Sequence, residues 1–90
     1  MPVLQIPRRL RAYCGGSESI ELEGELVSEL IAGAAARFPE LGSRLLDATG
    51  TLAPHFVVIH NDVVLRGADL AKTRVCAGDE FRIFTAASGG

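Results

Sequence analysis

The chain has 90 residues, 48% of them hydrophobic, and a net charge of −2. That length supports one domain with one modest core. The acidic balance speaks against a nucleic-acid partner, which would want a basic face, and no apolar run approaches the roughly 18 residues a membrane span needs.

Residues 1–11 carry three arginines but no apolar segment long enough for a signal peptide, so a cytoplasmic location is expected. Cys14 and Cys76 form no CxxC, and with His55 and His60 they match no zinc spacing. Each is read as a small hydrophobe in a reducing compartment, and no stably bound metal or cofactor is expected.

Residues 3–6 read as a short strand with Leu4 and Ile6 on one face. Pro7 ends it, because proline donates nothing to a ladder. Arg8, Arg9 and Arg11 surround Leu10, which turns inward. The arginines are read as a solvated edge that blocks strand pairing, in preference to a surface for an acidic partner. Gly15-Gly16-Ser17 signals a turn. Residues 19–23 alternate with Ile20 and Leu22 inward, so two strands joined by a Gly-rich connection predict a hairpin.

After Gly24 the period changes. Val27, Leu30, Ile31, Ala34 and Phe38 form an apolar stripe at helical spacing. Glu25 and Glu29 near the start and Arg37 near the end suit the helix dipole. Pro39 is expected to stop this helix. Residues 40–54 are irregular, anchored by Leu41, Leu45, Leu46 and Leu52, with a short helical turn at 45–47. Residues 55–60 read as a buried strand, apolar on both faces. Asn61-Asp62 is a turn and residues 63–66 return as a short strand. Leu70 and Val75 anchor a loop, and residues 77–79 turn again. The last strand, residues 81–84, sets Phe81 and Ile83 on one face and Arg82 and Phe84 on the other.

One main helix packed across one face of a mixed sheet of about five strands is an α+β arrangement, the β-grasp or ubiquitin-like fold. Phe81, Ile83, Val27, Leu30, Ile31 and Phe38 are expected to share its core. The body is expected to span residues 1–84 and a flexible tail residues 85–90. That tail is small and uncharged and ends on Gly89 and Gly90. Glycine lacks a Cβ, so such a backbone can enter a channel too narrow for other residues. At average glycine usage a Gly-Gly end arises in about one chain in 200.

Several pieces of the sequence together resemble the MoaD/ThiS family of ubiquitin-like sulfur carriers, closest to its CysO-like subgroup. Ile6-Pro7 followed by Leu10-Arg11 and Gly15-Gly16 is similar to the subgroup's opening. Val27-x-x-Leu30 resembles the family's helix, and residues 56–62 its third strand and turn. Gly78-Asp79-Glu80-Phe81, a few residues before the Gly-Gly end, resembles its closing signature. Thr85-Ala86-Ala87-Ser88 departs from the prolines the family often carries there. His60 stands where a small apolar residue usually precedes the asparagine. If a residue is skipped there, the inward face of the strand changes.

The resemblance implies a protein cosubstrate and not an enzyme. A ubiquitin-activating-type enzyme would use ATP to adenylate the Gly90 carboxylate and convert it to a thiocarboxylate. That group would donate sulfur to a biosynthetic acceptor enzyme, for cysteine or another sulfur metabolite. Ala87, Ser88 and Gly89 would form the inserted tail, and Phe84 an apolar docking point for the partners. Two alternatives share the Gly-Gly end: the small subunit of molybdopterin synthase, and a modifier that forms isopeptide bonds. A plain β-grasp binding module is a third. A plant-type iron–sulfur β-grasp would need four cysteines, and the chain has two.

Overall fold

The computed structural model describes residues 1–85. Strand β1 (Val3–Gln5) is short because Pro7 follows closely. The chain leaves it in a 3-10 helix, Arg8–Cys14, and turns at Gly15 and Gly16, whose φ of 69° and 83° suits glycine. Strand β2 (Ser19–Glu21) then pairs antiparallel with β1, Leu4 opposite Ile20. The hairpin is present, but Arg8, Arg9 and Arg11 sit on the 3-10 helix inside its connection. They guard no strand edge, and β1 itself is an inner strand of the sheet.

Helix α1 (Val27–Arg37) buries Val27, Leu30, Ile31 and Ala34. The Glu29 carboxylate accepts from the N–H groups of Glu25 at 2.6 Å and Leu26 at 3.3 Å, which satisfies donors left over at the helix start. Pro39 does stop α1, and it also opens a second helix, α2 (Pro39–Leu45). Proline suits a first helical position, where its missing N–H would have no partner anyway. The expected turn at 45–47 is therefore the end of α2, with Leu46 already extended and bridged to Leu52. Leu41 and Leu45 are fully buried.

Strands β3 (Phe56–His60), β4 (Val63–Leu65) and β5 (Glu80–Thr85) complete a five-stranded sheet in the order β2-β1-β5-β3-β4. β1 and β5 run parallel, and the other neighbours are antiparallel. The β3–β4 turn takes φ of 50° at Asn61 and 67° at Asp62. Positive φ at both central residues matches the twist of a two-residue hairpin. A second 3-10 helix, Gly67–Ala71, buries Leu70. β5 runs to Thr85, opposite Phe56, one residue beyond the expected end of the body at 84.

Phe81, Ile83, Val27, Leu30 and Ile31 do share one core cluster, together with Leu4, Leu41 and Val58. Phe38 is a correction: it caps α1 and packs half-buried at the rim of this cluster. β3 skips no residue. Val58 pairs with Ile83 and lies in the core, so Val57 and Ile59 fall on the other sheet face. His60 stacks on Phe81 with ring centroids 4.4 Å apart, and its Nε2 is 3.4 Å from the Asp79 carboxylate.

Candidate functional site: the open sheet face

The two helices leave the second face of the sheet uncovered, and period-two alternation decides what it shows. On β5, Phe81 and Ile83 point into the core, while Glu80, Arg82 and Phe84 point out and are exposed. Phe84 pairs with Val57 and Arg82 with Ile59, and Ile59 in turn pairs with Val64. Phe84 and Val64 are 42% and 46% exposed. Val57 between them is buried and Ile59 half-buried, so Phe84 and Val64 stand as two exposed apolar points at the ends of a partly covered apolar row. Exposed apolar side chains set on such a row mark an interaction surface.

Shallow depressions flank β5 on this face, and their charge differs. One is lined by Ile59, Asp62, Glu80, Arg82 and Phe84 and reaches the start of the strand. The other is lined by Gln5, Pro7, Arg11, Arg82 and Phe84, near its end. Arg82 and Phe84 border both depressions, while Asp62 and Glu80 line only the first and Arg11 only the second.

Of the residues singled out in the sequence, Phe84 lies on this open face as expected. Ala87, Ser88, Gly89 and Gly90 lie outside the described residues. Arg82 and Arg11 were not singled out together. The alternation of β5 makes Arg82 outward, but only the parallel pairing of β1 with β5 brings Arg11 beside it. Cys14 is buried in the core, and burial pushes its thiol up from the ordinary range, as suits an inert packing residue. Cys76 is exposed, and its backbone N–H donates to the Asp79 carboxylate at 2.7 Å. Among the described residues no group of three His, Cys, Asp or Glu side chains is placed to hold a metal. No helix there is long and apolar enough to cross a membrane.

A helix-backed β-grasp sheet with exposed apolar side chains on its open face defines the class: a ubiquitin-like domain. The comparisons narrow this. A family model described as the ThiS family matches residues 4–90. A chain in the crystal structure of the BexX/CysO complex of Amycolatopsis orientalis is 31% identical, with all of both chains covered and a TM-score of 0.82. CysO of Mycobacterium tuberculosis is 26% identical, with 97% of this chain and 100% of that one covered and a TM-score of 0.78. The small archaeal modifier protein SAMP1 of Haloferax volcanii is 26% identical, with 99% and 98% covered and a TM-score of 0.74. No curated protein sequence is similar enough to count as a relative. The chain belongs to the ThiS family, and is a ubiquitin-like sulfur carrier or modifier.

Proposed function

We propose that the chain is a sulfur carrier whose working group is the α-carboxylate of Gly90. The observation that carries this reading is a family match that runs through the Gly-Gly end to residue 90. A carboxylate is a poor electrophile, because its charge is delocalised and repels nucleophiles. A ubiquitin-activating-type enzyme would let it attack the α-phosphate of ATP, releasing pyrophosphate and leaving an acyl-adenylate. A hydrosulfide-level sulfur nucleophile would then add at the acyl carbon, expel AMP and lose its proton, leaving a thiocarboxylate. ATP is thus consumed by the enzyme and is no resident cofactor of this chain. The carrier would hand its sulfur to a biosynthetic acceptor enzyme in the cytoplasm. Gly89 and the small residues Ala87 and Ser88 would let the terminus enter a narrow channel. Phe84 and its apolar neighbours would seat the partner beside that channel.

The test is intact-protein mass spectrometry after incubation with activating enzyme, ATP and a sulfur donor. The expected product has one terminal oxygen replaced by sulfur. Deleting Gly90 should abolish it, and Gly89→Val should nearly do so. Sulfur still gained by the Gly90-deleted chain would sit on a cysteine or on the Gly89 carboxylate, and the reading of Gly90 as the working group would be wrong. The likeness to a small archaeal modifier protein favours one second reading, isopeptide transfer of Gly90 to lysines. Lysine-linked adducts of this chain in a cell lysate would decide for it.

A further inference from the structure

We propose that the depression between Arg11, Arg82 and Phe84 receives a carboxylate side chain of the activating enzyme, with an apolar neighbour of that carboxylate packed on Phe84. The proposal rests on the carrier reading for the identity of the partner, but not for the chemistry of the site. β1 runs parallel to β5 with Gln5 opposite Arg82, so the 3-10 helix that follows β1 lies beside the C-terminal end of β5. Arg11 and Arg82 come from distant parts of the sequence and line one hollow with Phe84. Arg11 is held in place, because its Nε donates to the Ile6 carbonyl oxygen at 3.0 Å. Among the described residues its terminal N–H groups meet no acceptor.

Among the described residues, Arg8, Arg9, Arg11 and Arg82 have no ion-pair partner, although the chain is acidic overall. The acids on this face, Asp62 and Glu80, line only the other depression, which Arg82 and Phe84 also border. An anchored guanidinium beside a second one favours a planar two-oxygen acceptor, and a carboxylate fits it. Beside an exposed aromatic, that acceptor belongs to a protein surface with mixed acidic and apolar character. The difference between the two depressions would also orient the partner, since the same acidic group placed in the other one would meet Asp62 and Glu80.

The experiment measures the carrier's KM in ATP–pyrophosphate exchange by the activating enzyme, at low and high salt, for the full chain and for Arg11→Glu, Arg82→Glu and Arg82→Lys. The expected result is a KM raised about tenfold or more by each glutamate, kcat unchanged, a weaker salt dependence, and partial recovery in Arg82→Lys. Unchanged KM and salt dependence in correctly folded variants would overturn the proposal while leaving the carrier reading intact. If the unmodified chain is not adenylated at all, the carrier reading fails. The site is then decided by NMR titration of the full chain with the blocked dipeptide acetyl-Asp-Leu-amide, against its Asn counterpart. Shifts confined to Gln5, Arg11, Arg82 and Phe84, absent with the Asn peptide and lost in Arg82→Glu, would support it. Absent or scattered shifts would overturn it, as would self-association of the free chain through this face, which would make a second copy the occupant.

Discussion

Phe81 and Phe84 are three residues apart on one strand and have opposite fates. Phe81 is fully buried, while Phe84 is 42% exposed beside Val57. Phe84→Ala should lower stability by about 1 kcal/mol, the loss of a partly buried ring, yet weaken association with the activating enzyme. Phe81→Ala should cost about 3–5 kcal/mol, with a cavity left behind. Equal denaturant midpoints for the two variants would show that the faces are reversed. Asp47 offers a second residue-scale test. Its Oδ1 accepts from the Thr49 hydroxyl at 2.6 Å, the Thr51 N–H at 3.1 Å and the Thr49 N–H at 2.9 Å. The Thr49 hydroxyl, followed by the Thr51 amide, holds the carboxyl below its usual range. A depressed folded value means the stabilisation is present above the ordinary carboxylate pKa of about 3.9 and is lost as pH falls through the folded value. NMR titration should place the Asp47 midpoint below that of an unstructured aspartate. A midpoint at or above it would contradict the turn geometry.

At the scale of elements, the corner between α1 and α2 depends on a close approach. A Cβ added at Gly42 would lie 2.8 Å from the Ala35 Cβ and 3.1 Å from its Cα. Backbone cannot yield as a flexible side chain can, so the helices would have to separate. Gly42→Ala should therefore destabilise by about 1–3 kcal/mol, even though alanine is the better helix former. A midpoint raised by the substitution would mean that the corner is loose. Ala35→Gly in the same chain should recover part of the loss, because it removes the group that collides. This corner was not legible in the sequence. Pro39 reads as a stop signal, and it is one for α1. That it also starts α2 depends on Phe38 turning the chain while its ring packs at the rim of the core.

At the scale of the whole molecule, the buried core among the described residues runs from Leu4 to Ile83. Deleting Gly90 should leave the denaturant midpoint unchanged while abolishing sulfur gain. A lowered midpoint would tie the end of the chain to folding and weaken the carrier reading. The sequence alone determined the succession of strands and α1 along the chain, the inward Phe81 and Ile83 and the outward Phe84, because these rest on local periodicity. The residues that carried the family resemblance were equally local, runs of neighbours in a fixed order. Only the tertiary structure decided that Arg11 meets Arg82. That meeting requires a parallel pairing between the first and last strands, and no local pattern encodes which strand lies beside which. The same holds for Phe38, whose helical spacing places it on the buried stripe while the chain direction set at Pro39 moves it to the rim. Periodicity reports the face of an element, and the packing of elements against one another determines how far that face is covered.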